Sequence, residues 1–188
     1  MLPIIPLMSM LAMPVAAAGT TGAATAAAPS PTLLRASLLV EDAERAAAFY
    51  AALGFRIESD FTNARRPEGN PFPLNAPSTA VRLVILASAD GAGGRIGLVE
   101  FRSPTPDENR LDKEKTGRGD VVLVFDVPDA EAAHAALVAA GARVLEPPQV
   151  YVSRHRAPDG GAMQGKVFHA RDPDGHLVEL LEAPKPVP

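Results

Sequence analysis

The side chains able to do acid–base work are few. The chain holds four histidines and no cysteine, so thiolate chemistry, disulfides and cysteine-built metal sites are excluded together. His169 stands in the run Lys166–Arg171. Strand alternation there puts Val167, His169 and Arg171 on one face and Phe168 and Ala170 on the other. An imidazole in such a place can move a proton or donate a hydrogen bond. Glu179 sits in the next apolar run, His176–Leu181, and can serve as a general base or bind a cation. Arginines supply anion-binding chemistry. Arg82 interrupts an apolar strand and can point inward. Arg154, with His155 and Arg156, lies in a Gly-rich stretch, 153–165, expected to be a loop that can close over an anion. Arg65 and Arg66 occupy a similar loop at 62–78. Each has a plain structural alternative: a charged surface loop, or a half-exposed strand histidine. His134 is expected on the solvated side of a helix and His176 in a surface turn. A Ser/His/Asp triad, a P-loop and a dinucleotide fingerprint are absent, because Gly91–Gly94 is a hairpin turn with no helix after it.

The elements that carry these residues occur twice. Residues 40–57 read VEDAERAAAFYAALGFRI and residues 127–144 read VPDAEAAHAALVAAGARV. Aligned without a gap at an offset of 127 − 40 = 87, nine of the eighteen positions are identical. Among them are Val40/Val127, Asp42/Asp129, Glu44/Glu131, Gly54/Gly141 and Arg56/Arg143. An internal repeat governs the fold. Leu33–Val40 reads as a strand, Asp42 as a helix cap, Ala43–Leu53 as a helix ended by Gly54, and Phe55–Phe61 as extended. Ala80–Ala87 and Arg95–Arg102 read as two further strands. The pattern restarts with a strand at 120–127, a helix at 129–140 and an extended segment at 143–152 that Pro147 and Pro148 place at a sheet edge. Two last strands, Lys166–Arg171 and His176–Leu181, are joined by Asp172-Pro173-Asp174-Gly175, a turn in which proline sets φ and glycine takes φ > 0. Module one is thus 33–103, the linker 104–119 and module two 120–184.

The 188 residues allow one domain of about 150 residues plus an N-terminal extension. Apolar content is 47 % and net charge −4, which leaves no basic footprint for nucleic acid. Residues 1–32 differ in kind. An apolar, Met-rich run is followed by Ala16–Ala18, a small-residue cleavage site, and a spacer of Ala, Gly, Thr, Ser and Pro. This pattern predicts a signal peptide and a periplasmic or secreted protein, with no membrane attachment after processing. A cytoplasmic protein with a mis-assigned start codon is the alternative.

Two βαβββ modules in tandem, with the phrases AAFYAALGF and RDPDGHLVEL, resemble the vicinal oxygen chelate superfamily of glyoxalases, bleomycin-resistance proteins and extradiol dioxygenases. The resemblance implies an α+β fold in which two tandem βαβββ modules form an open, cup-shaped mixed sheet with the ligand inside, and it implies a homodimer. The family's four metal-ligand positions fall here on Arg35, Gly97, Val122 and Glu179; matching VELLE (178–182) to IGLVE (96–100) sets Gly97 opposite Glu179. Only Glu179 can ligate, whereas catalytic zinc needs three protein ligands. No metal or other cofactor is therefore expected. Glu179 is either the retained carboxylate of the cup or a structural partner of Arg35. Fosfomycin-resistance relatives carry a ligand-contacting tyrosine at the place of His169.

Three readings follow. The first is a metal-free protein binding a small, anionic or oxygenated molecule in the cup. The second is a metal-independent lyase- or isomerase-type enzyme, with Glu179 and His169 as catalytic groups and Arg35, Arg82, Arg154 and Arg171 holding the substrate. A metal enzyme with unconventional ligands is the third.

Overall fold

The computed structural model describes residues 33–64, 72–74, 78–91, 93–107 and 114–187. The expected signal peptide and spacer at 1–32, and the loop arginines Arg65 and Arg66, lie outside these residues. The first module runs β1 (Arg35–Leu39), α1 (Ala43–Ala52), β2 (Phe55–Ala64), β3 (Ala80–Ser88) and β4 (Arg95–Arg102). The second runs β5 (Val122–Asp126), α2 (Ala130–Ala139), β6 (Arg143–Val144), β7 (Gln149–Arg156), β8 (Ala162–Arg171) and β9 (Leu177–Pro186). Adding 87 to 35–39 gives 122–126, and adding it to 43–52 gives 130–139, so the sequence repeat lands element on element.

Local chemistry explains the boundaries. Asp42 caps α1 by accepting from the Glu44 and Arg45 amides at 2.9 and 3.1 Å, and Asp129 caps α2 by accepting from the Ala132 amide at 3.0 Å. A second carboxylate supports each start: Glu100 accepts from the Ala43 amide at 3.3 Å, and Glu182 from the Ala130 amide at 3.1 Å. These two glutamates are the matched ends of IGLVE and VELLE, so the pairing of Gly97 with Glu179 is structural as well as textual. Both helices end at a glycine with positive φ, 89° at Gly54 and 71° at Gly141.

Each module builds its own mixed sheet. The first has order β1-β4-β3-β2; the second has order β5-β9-β8-β6, with β7 also on β8. β1 and β4 are parallel, as are β5 and β9, and the remaining pairs are antiparallel. β6 and β7 are two pieces of one edge strand, broken where Pro147 and Pro148 lack the N–H a ladder needs. The Gly-rich stretch expected as a loop is instead a β7–β8 hairpin, paired as far as Arg156 with Ala162.

Each sheet covers one face with its helix; the other face is open in the second sheet, whereas in the first it is closed at one end by Val81, Val99 and Phe101 packed under Leu74 and is open only towards Arg35 and Leu39. The helix-covered faces share one core: Leu38, Leu86, Leu98 and Tyr50 from module one meet Leu137, Phe168, Val178 and Leu180 from module two. Burial of each large side chain contributes about 1.5–3 kcal/mol. α1 packs on α2, and Phe125 of β5 meets Tyr50 and Phe55 edge-on at 6.3 and 5.2 Å. Among the described residues no strand of one sheet is hydrogen-bonded to a strand of the other. The two faces turned away from that common core therefore do not share a cavity within one chain.

Candidate functional site

The bare face of the second sheet carries the catalytic candidates together. His169 and Glu179 are cross-strand partners on β8 and β9, with Val124 next in the row on β5. The His169 Nε2 lies 3.3 Å from a Glu179 carboxylate oxygen. On the other side, its Nδ1 lies 2.5 Å from a Glu146 oxygen. All three side chains are about one-third exposed, at 33, 30 and 35 %. A neutral imidazole has a single N–H, so both contacts are hydrogen bonds at once only when a second proton sits on the ring or on one of the two carboxyls. Glu146, His169 and Glu179 thus form a line of groups that can hold a proton and pass it to or from a bound molecule.

Sequence reasoning missed Glu146. The signal was available: it directly precedes the two prolines that break the edge strand, and the bend at that break carries it to β8. The Leu145 amide, donating to the His169 carbonyl at 2.9 Å, fixes the approach.

The same row in module one is Ser37, Gly97, Ile85 and Ser59. It holds no acid or base. Arg35 folds across Gly97, where a Cβ would stand 3.1 Å from Arg35 Cδ, and donates from Nε to Ser37 at 3.0 Å. Arg35 therefore lies on the open end of the first sheet's face that is turned away from its helix. The expected pair with Glu179 is not formed within the chain, because the two sheets face apart.

Three expectations for the arginines are corrected. Arg82 points to the helix-covered side, where Asp60 holds it at 2.7 Å; in the β3 register it alternates away from the bare face. Arg154 lies exposed on β7, a paired strand and not a closing loop. Arg171 shares the strand face of His169, but its guanidinium turns to the end of the sheet and donates to the Gly175 carbonyl at 2.8 Å and the Thr116 hydroxyl at 3.2 Å.

The 172–175 turn is a structural hub. Asp172 accepts from the Tyr50 hydroxyl at 3.0 Å, from the backbone amides of Asp174 and His176 at 3.0 and 2.9 Å, and contacts the His176 ring at 2.9 Å. His176 is thus a partner of Asp172 and not a free surface residue. Burial pushes the Asp172 carboxyl up, but the His176 and Tyr50 hydrogen bonds outweigh it and hold it below the usual range. Burial, with Asp172 beside it, drives the Tyr50 hydroxyl well above its ordinary value. Burial also raises Asp174.

The donor set does not fit the metal that related folds carry. Of the four positions that the resemblance assigns to metal ligands, only Glu179 carries a side chain able to bind one. His169 offers one nitrogen to each carboxylate on opposite edges of its ring, so no single ion reaches all three groups. Among the described residues no cluster of three His, Asp or Glu side chains is arranged around a common point.

Fold and site define a chain of the βαβββ tandem class. The sequence model of the Glyoxalase/Bleomycin resistance protein/Dioxygenase superfamily matches residues 32–180, and the chain belongs to that superfamily. Similar solved structures include a glyoxalase family protein from Bacillus cereus, at 20 % identity and a TM-score of 0.62 over 85 % of this chain and 98 % of that one. A trypanothione-dependent glyoxalase I from Leishmania major aligns at 18 % identity and a TM-score of 0.50, over 81 % of this chain and 87 % of that one. A glyoxalase I mutant from Zea mays gives 17 % identity and a TM-score of 0.50, over 81 % of this chain and 44 % of that one. At these identities the likeness concerns the fold. No curated protein matches the sequence.

Proposed function

We propose that the protein binds a small oxygenated molecule against the bare face of the second sheet and handles it without the metal of its superfamily. The observation that carries this reading is the Glu146–His169–Glu179 line on an open sheet face. Two carboxylates favour a ligand that donates hydrogen bonds, such as a hydroxyl-bearing compound. An anionic group would need a cation opposite, and Arg35 is the residue available.

That cation comes from a second copy. The proposed unit is a homodimer in which the bare face of module one in one chain stands opposite that of module two in the other. β1 and β5 are edge strands, and Leu39 and Val124 on their bare faces are 46 and 55 % exposed. Unpaired edges with exposed apolar side chains are surfaces that pairing would cover.

A metal-independent lyase or isomerase is the second reading, favoured by one observation: His169 is oriented from both sides, as an acid–base group must be. Ligand-observed NMR with a panel of small diols and hydroxy acids, with product analysis of the same samples, separates the readings. Binding that weakens in His169→Ala without product supports the first. Product that disappears in His169→Ala supports the second. Equal behaviour of wild type and variant across the panel contradicts both.

A further inference from the structure

Away from the His169 line, a cavity of about 420 Å³ opens between α1, the 140–143 segment that follows α2 and the 172–175 turn. Three arginines border it: Arg45, Arg143 and Arg171. Two have carboxylate partners, Arg45 with Glu41 at 3.0 Å and Arg143 with Glu114 at 2.5 Å. Arg171 differs. It is only 6 % exposed, its two charged termini meet neutral oxygens, its Nε has no acceptor, and it makes no ion pair among the described residues. A buried cation without a counter-charge is costly unless something supplies one. Arg143 and Arg171 are moreover direct cross-strand partners on β6 and β8, where like charges repel. The remaining wall is largely apolar, with Ala48, Phe49 and Ala142, apart from Asp172, whose carboxylate is already engaged by the Tyr50 hydroxyl and the His176 ring.

We propose that this cavity is a second ligand site, distinct from the bare-face site, and that it takes a small organic carboxylate. The carboxylate supplies the counter-charge missing at Arg171 and shared by Arg143, and the apolar body lies against Phe49 and Ala48. The volume suits a ligand of a few carbon atoms or a single ring. The proposal does not depend on the function assigned to His169.

Benzoate titrated calorimetrically into the full chain tests it, with benzyl alcohol and inorganic phosphate as controls. The expected result is saturable benzoate binding, no benzyl alcohol binding, and weak or absent phosphate binding. Arg171→Gln should lower benzoate affinity by at least about tenfold, the order expected for a lost charge-assisted pair. Ala48→Met, at an exposed helix position that does not endanger the fold, should do the same by filling the cavity. Absence of saturable benzoate binding overturns the proposal, as does benzoate affinity that Ala48→Met leaves unchanged. Phosphate binding as tight as benzoate overturns the organic-carboxylate assignment. Loss of benzoate binding in His169→Ala moves the site to the bare face and also overturns it.

Discussion

At the residue scale the molecule separates groups that hold the fold from groups left free to act. Tyr50, Asp172 and His176 are tied to one another around the buried turn. Tyr50→Phe is expected to cost about 1–2 kcal/mol in chemical denaturation, since it leaves one acceptor of Asp172 unmet. Arg82 and Asp60 form a partly exposed pair on the helix side. Arg82→Ala should cost no more than about 1 kcal/mol and leave ligand binding on the bare face unchanged; a loss of binding would return Arg82 to the site. The sequence made His169 and Glu179 legible because strand alternation and the repeat both fix their face. It hid Glu146, because its role depends on a bend at Pro147 that no periodicity reports. It misplaced Arg171 because alternation gives the face of a Cβ and not the direction taken by a long side chain at a strand end.

At the element scale, the repeat predicts paired effects. Asp42→Ala and Asp129→Ala should each lower stability by about 1 kcal/mol, the usual worth of a helix cap. Urea midpoints would check this, and a large inequality between the two would mean that the modules do not share cap chemistry. Most strands and both helices were legible, since their apolar periods and capping residues agree. The β7–β8 hairpin was not. Residues 153–165 hold three glycines and Pro158 and resemble a loop, yet β8 offers a ladder, irregular only between Val152 and Arg156, that overrides local propensity. The turn joining β8 to β9 also sets the acid response. The Asp172 carboxyl is held below its ordinary value of 3.8 in the folded chain. Its stabilisation is therefore full above about pH 4, near the unfolded value, and is lost as pH falls through the lower folded value. Asp174, raised by burial, works in the opposite direction and relieves a cost as it protonates. Thermal melts between pH 2 and 7 should show a fall in Tm below about pH 4 that is shallower in Tyr50→Phe. An unchanged slope would remove Asp172 from the account.

At the scale of the whole molecule, two modules joined through their helices leave two sheet faces turned away from the helices, the first part-covered by Phe72 and Leu74 and the second open, with different chemistry. One carries Arg35 beside Gly97; the other carries Glu146, His169 and Glu179. This asymmetry within a repeat is what makes a paired arrangement of two chains useful, because it sets a cation opposite the carboxylates. Sedimentation analysis should give a dimer for the wild type and a monomer for Val124→Arg; a monomeric wild type would contradict the paired reading. No helix among the described residues is long and apolar enough to cross a membrane.

The central claim is that the His169 line works without the superfamily's metal. Elemental mass spectrometry on untagged protein purified without chelators tests it most directly. The account predicts zinc, iron, manganese and nickel all far below one atom for each chain. A near-stoichiometric metal that Glu179→Ala removes would contradict it, and would mean that groups brought together across two chains rebuild the ligand set that one chain lacks.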